Sequence, residues 1–157
     1  RLRAKYDLPP RKLATTSPSE YEEALRKLAK KFGVSIRSKA DFGKFFLAHP
    51  FAQAVNDSGE NRIGVDINRN DLEEYVEGLR ELEHELIHSI QGALYPGMPI
   101  EVQEYEAYIT TNIYIPKTAT QAEAIEVIFG NIILNSIRFW YTDQSKQQKR
   151  ELRPSWE

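Results

Sequence analysis

Residues 83–88 of the chain read Glu-His-Glu-Leu-Ile-His, and few short patterns constrain a structure as tightly. Two of the three histidines, His84 and His88, stand four residues apart, with Glu85 directly after the first. On an α-helix such a pair projects from one face, one ring above the other. Two imidazoles so placed can each reach one Zn2+ at about 2.0–2.1 Å without bending the backbone. Glu85 is turned by about 100° from His84, so it stands beside that grip, where a general base belongs. The pattern therefore needs a continuous helix, and the flanking sequence supplies one. Leu72, Val76, Leu79, Leu82, Leu86 and Ile90 recur at helical spacing as an apolar stripe. Asn70 or Asp71 opens the helix, Glu73 and Glu74 suit its positive end, and Gly92 is the expected stop. A surface helix with two solvated histidines would leave the order of these three residues without a cause.

Cysteine is absent, so thiolate metal sites and disulfides are excluded and any metal must be held by His, Asp or Glu. A catalytic zinc takes three protein ligands and keeps one position open. No histidine follows His88, which leaves the carboxylates of the next predicted helix, Ile100 to about Asn112: Glu101, Glu104 and Glu106. Glu101 and Glu104 share a face that Tyr108 and Thr111 continue, and Ala107 lets two helices approach closely. Glu106 is rotated by about 200° from Glu104 and is expected to point away, as a bystander. Glu104 is the expected third ligand, with Glu101 the runner-up or a partner that orients a histidine. Tyr108 is the candidate oxyanion donor, with Tyr95 and Tyr105 nearby in sequence, although a core role is the ordinary one for a tyrosine. His49 reads as structural.

At 157 residues the chain fits one domain with a real core, and its hydrophobic and charged fractions, 41% and 28%, are those of a globular protein. A net charge of -2 gives no sign of a dedicated nucleic-acid binder. The most apolar stretch, Ala124 to Tyr141, is interrupted by Glu126 and Arg138, so no membrane span is expected. Residues 1–16 form a basic arm opening on Arg1 rather than Met, which reads as a processed or trimmed product. The arm fits either the remnant beside a removed organellar targeting sequence or, as the ordinary case, a solvated terminus. Ser17, Pro18 and Glu20 read as a capping box at the start of a helix that Gly33 stops. A short strand at 34–37, one or two helical turns at 41–47, and strands at 51–55 and 62–68 follow, the last two joined by a turn at 56–59. In the last strand Ile63, Val65 and Ile67 alternate with Arg62, Gly64 and Asp66, so one face is buried. Thr118 or Thr120 opens a long final helix to about Tyr141, and residues 142–157 form a polar tail.

His84-Glu-Leu-Ile-His88 followed by Glu104-Tyr-Glu-Ala107 resembles the gluzincin pattern, HExxH with a downstream glutamate. The ExxA form is similar to compact members, the ImmA/IrrE peptidases and the mitochondrial ATP-synthase-assembly peptidases. Ile87 stands where ImmA/IrrE proteins usually have glycine, and the assembly peptidases carry cysteines, so the resemblance is to the clan. It implies an α+β fold with a compact zincin-like core across roughly residues 17–141. That core is a backing helix, a small and mainly antiparallel sheet, the HExxH helix and a glutamate helix, with a long C-terminal helix added. It further implies zinc on His84, His88 and Glu104 with Glu85 as base, and a polypeptide substrate laid along an edge strand, here Arg62, Ile63, Gly64, Val65 and Asp66. The expected function is a zinc metallopeptidase. The alternative is a non-catalytic regulator or complex subunit that keeps the fold, and the C-terminal helix is either a cover for the fold or a face for a protein partner. Intracellular, soluble residence in a bacterial cytoplasm or an organelle matrix is expected.

Overall fold

The computed structural model describes residues 2–48, 52–111, 120, 123, 137 and 140–142. Two short helices, α1 (Leu2–Lys5) and α2 (Leu13–Thr16), lead into α3 (Pro18–Lys31), strand β1 (Ser35–Arg37), a 3₁₀ turn (Lys39–Phe42) and α4 (Gly43–Ala48). Strands β2 (Ala54–Asp57) and β3 (Arg62–Val65) follow, then α5 (Leu72–Leu94) and α6 (Ile100–Thr111). The fold class is α+β. Among the described residues no helix is long and apolar enough to cross a membrane. His49 and residues 143–157 lie outside the described residues.

The helix starts and stops have separate local causes. Gly33 ends α3 with φ +67°, the left-handed region that a side chain resists. Ser17 precedes Pro18 as expected, but its side chain makes no cap. Its own N–H closes α2 instead, bonding the Leu13 carbonyl at 2.8 Å, so one residue serves two helices. Asp71 does cap α5, accepting from the Glu74 N–H at 3.0 Å. Gly92 does not stop that helix, which runs through it to Leu94. It ends at Tyr95, whose N–H reaches the Gln91 carbonyl, because Pro96 follows.

The sheet has the order β1-β3-β2, with β1 parallel and β2 antiparallel to β3. It is therefore mixed rather than mainly antiparallel. It also corrects the expected substrate strand. Arg62, Ile63 and Gly64 pair with β1, and Arg62 through Val65 pair with β2, so β3 lies in the middle. Asp66, just beyond it, accepts from the Lys39 N–H at 3.0 Å. Alternation in a sequence reports which face is buried and carries no information about which edge is free. The second face of β3 is covered too: a Cβ on Gly64 would sit 2.4 Å from the Phe42 ring. The turn between β2 and β3 falls two residues late, at 58–61, because Asn61 rather than Gly59 takes the left-handed conformation, at φ 52°.

The main core packs Tyr21, Leu25, Leu28 and Ala29 of α3 and Ile63 and Val65 of β3 against Leu79, Leu82, Leu86 and Ile90 of α5. The N-terminal segment belongs to it. Leu2, Tyr6 and Ala14 are buried, which overturns the expected solvated arm. A second cluster joins Met98, Val102 and Tyr105 to Ile137 and Tyr141, the described part of the expected C-terminal helix. Thr120 and Glu123 exchange reciprocal bonds of 2.8 and 3.2 Å, the pattern of a capping box.

Glu22 ties α3 to the start of α5. Arg69 donates to it at 2.6 and 2.9 Å, Tyr75 at 2.6 Å and Arg26 at 2.8 Å. The Arg69 bonds, against the upward push of burial and with help from Tyr75 and Arg26, draw its carboxyl from 4.5 down to about 2. A depressed folded-state value stabilises above the unfolded pKa and ceases to do so as protons bind. Its contribution is full above about pH 4.5 and lost as pH falls towards about 2. Glu22→Gln is expected to be less stable at pH 7 and to lose less on acidification through that window. Urea midpoints for both proteins at pH 7, 4 and 2.5 measure this, and parallel losses in the two would refute it.

Candidate metal centre

α5 carries His84, Glu85 and His88, and α6 runs back along it, pairing Gln103 with Gln91 and Glu104 with His88. Ala107 is fully buried at the crossing, which lets the helices approach closely. The His84 and His88 Nε2 atoms lie 3.2 Å apart. Glu104 brings Oε1 to 3.0 Å from His88 Nε2 and Oε2 to 3.6 Å from His84 Nε2. Donors bound to one tetrahedral zinc at about 2.0–2.1 Å stand about 3.3–3.4 Å from each other, close to the distance between the two Nε2 atoms, and Glu104 turns one oxygen towards each ring. His84, His88 and Glu104 form a group whose candidate ligand atoms all lie within 4.8 Å of one another.

The protonation of His88 decides what lies between these groups. Its Nδ1 is 2.9 Å from Gln91 Oε1, while Gln91 Nε2 donates to the Gln103 carbonyl at 3.1 Å and the Tyr6 hydroxyl at 3.2 Å. A carbonyl only accepts, so the amide cannot be turned over. Gln91 therefore presents an acceptor to Nδ1, Nδ1 carries the proton, and Nε2 faces a carboxylate 3.0 Å away. That contact is favourable only with a cation, either a second proton on the ring or a metal ion between the groups. The donor set fits a metal.

His84 is held differently. Its Nδ1 is buried with no hydrogen-bond partner among the described residues, and its ring packs edge-on against Tyr108, centroids 4.6 Å apart. Burial pushes the Glu104 carboxyl up, and the two imidazoles more than cancel this, leaving it at about 2. Burial opposes charge on His88, but Glu104 and Glu85 raise its pKa above the ordinary value. Burial raises the Glu85 carboxyl, against the pull of His84 and His88 and with the push of Glu104 and Glu81. Its backbone is fixed from the sheet, since Asn56 of β2 donates to the Glu85 carbonyl at 2.8 Å and to Ser89 Oγ at 2.6 Å.

Of the expected residues, His84, His88 and Glu104 come together, with Glu85 one position from the first. Glu101, half-buried, is outside the group. Tyr105 packs on Tyr141 in the second cluster, and Tyr95 packs edge-on against Tyr6. Glu106 points off the site as expected but is no bystander: it is fully buried, with Lys5 Nζ at 2.9 and 3.0 Å and the Tyr6 and Tyr141 hydroxyls donating to it. On α5, Glu83 is likewise buried and takes Arg3 Nη2 at 2.8 Å and the Tyr21 hydroxyl. Gln91 and Asn56 were missed. Gln91 stands one turn after His88 on the same face, a spacing that could have flagged it. Nothing local marks Asn56, Arg3 or Lys5.

No protein-family model matches the chain, and neither a curated protein nor a solved structure matches it. The centre is therefore read from its own geometry.

Proposed function

We propose that the chain is a zinc-dependent metallopeptidase of the gluzincin type. One observation carries the reading: two imidazole nitrogens and a carboxylate converge at spacings suited to one ion, with the His88 proton held on the far side of its ring. Two imidazoles and a carboxylate also suit ferrous iron. Glu85, next to the first ligand and half-buried, favours hydrolysis, which needs a base there. Zinc bound at this centre supplies Lewis acidity, polarising a peptide carbonyl and acidifying a water. Glu85 receives the proton on its carboxylate and returns it to the departing amine nitrogen. Tyr108, packed on His84, is the candidate donor to the developing oxyanion. The substrate strand is reassigned to β2, an outer strand in the order β1-β3-β2 that is bonded through Asn56 to the Glu85 carbonyl; an extended polypeptide adds beside it.

Purified protein is expected to carry about one zinc per chain and to cleave an unfolded polypeptide in a chelator-sensitive way. His88→Ala should lose the metal, Glu104→Gln should bind it much more weakly, and Glu101→Gln should bind it as the wild type does. Stoichiometric zinc in His88→Ala sinks the centre. Loss in Glu101→Gln with retention in Glu104→Gln moves the third ligand to Glu101. Zinc bound without any cleavage leaves the chain as a metal-bearing regulator or subunit.

A further inference from the structure

His88 is the first member of a chain of hydrogen bonds, part-buried at His88 and buried beyond Gln91, that ends outside the centre. Its Nδ1–H donates to Gln91 Oε1 at 2.9 Å, and Gln91 Nε2 donates to the Tyr6 hydroxyl at 3.2 Å. The Tyr6 hydroxyl in turn donates to Glu106, whose carboxylate also takes Lys5 Nζ. Every donor along this path points towards Glu106. An anion can only accept, so it fixes the Tyr6 proton, which leaves the tyrosine oxygen as an acceptor for Gln91. The amide then turns its carbonyl to His88. A carboxylate 0% exposed on α6 thus sets which nitrogen of an α5 histidine holds the proton.

Gln91 is also fully buried, and its Nε2 reaches the carbonyl of Gln103, the residue directly before Glu104. One amide therefore holds the ring of one ligand and the backbone beside another. We propose that Gln91, oriented by Tyr6 and Glu106, is a positioning residue of the metal centre, which makes the N-terminal segment Leu2–Tyr6 part of that centre. The proposal rests on the metallopeptidase reading of the site, and a metal-affinity measurement separates the two.

The test compares zinc affinity, by competition with a chelator, in the full-length wild type, Gln91→Met, Tyr6→Phe and Ile90→Val. Methionine keeps the length and burial of Gln91 and removes both ends of the amide. Gln91→Met is expected to bind zinc about 10–100-fold more weakly, the usual effect of removing a partner that orients a ligand. Tyr6→Phe keeps the ring in place and breaks the path between Gln91 and Glu106. It should lose about 10-fold, the lower end of that range, since the Gln103 carbonyl still holds the amide. Ile90→Val, a buried neighbour outside the path, measures the effect of loosened packing and should keep wild-type affinity.

A spectroscopic readout runs beside this. In zinc-loaded wild type the His88 Nδ1–H should give a slowly exchanging imidazole proton resonance, and in Gln91→Met it should exchange rapidly. Wild-type zinc affinity in Gln91→Met, or the same loss in Ile90→Val, overturns the proposal. Should Gln91→Met fail to fold, Tyr6→Phe decides, and undiminished affinity there overturns it. A wild type that binds no zinc overturns the metallopeptidase reading and this proposal together, whereas wild-type binding unchanged in the variants overturns this proposal alone.

Discussion

Glu85→Gln is expected to keep its fold and its zinc while hydrolysis of an unfolded polypeptide falls by about 10²–10⁴-fold, the usual range for loss of a general base. Glutamine has the size of glutamate and still forms hydrogen bonds, but it cannot take up a proton at neutral pH. The substitution should disturb little else. The Glu85 carboxylate is not in the ligand group, and its backbone carbonyl is pinned by Asn56 whatever the side chain is. Zinc content measured on the same preparation separates a lost base from a lost metal. Equal cleavage rates in Glu85→Gln and wild type would remove Glu85 from the mechanism.

Lys5→Met is expected to destabilise the protein by about 3–5 kcal/mol, the range for removing one partner of a buried ion pair. The side chains of Lys5 and Glu106 are only 4% and 0% exposed, so the carboxylate left behind has no water to turn to. The Tyr6 and Tyr141 hydroxyls still donate to it, but they bring no positive charge. The double variant Lys5→Met/Glu106→Gln should recover much of the loss, because the same site without charge has little desolvation to offset. Urea unfolding of wild type, both single variants and the double variant closes the cycle. Near-additive losses would mean that the two groups do not interact.

The sequence made the motif helix and its candidate ligands legible because helical spacing is a local property. His84, His88, Leu82, Leu86 and Ile90 are placed by one rule of rotation, and the same rule separated Glu104 from Glu106. What could not be read this way depends on which distant segment covers which face. Lys5 and Arg3 stand in a basic stretch that looks solvated until Glu106 and Glu83 are known to lie beneath it. Glu106 itself was correctly turned away from the His84–His88–Glu104 cluster, yet a helical wheel cannot distinguish solvent from a buried lysine on the far side. The edge of the sheet failed for a related reason. Alternation at Ile63 and Val65 fixed a buried face, while strand order depends on the parallel pairing with β1 across an intervening 3₁₀ turn, α4 and β2.

The two clasps at the chain's beginning also bear on the order of folding. Arg3 meets Glu83 across 80 residues of sequence, and Lys5 meets Glu106 across 101. Closing loops of that length costs entropy before any contact is made, whereas the hairpin of α5 and α6 needs only a short connection. The hairpin should therefore form early, with His84, His88 and Glu104 only roughly in place, and the first residues should dock last. Lys5→Met should then accelerate unfolding and leave the folding rate nearly unchanged. On the ribosome, Arg3 and Lys5 would wait for almost the whole described hairpin before finding their partners, so the cluster of His84, His88 and Glu104 would reach its final geometry in the closing step of folding.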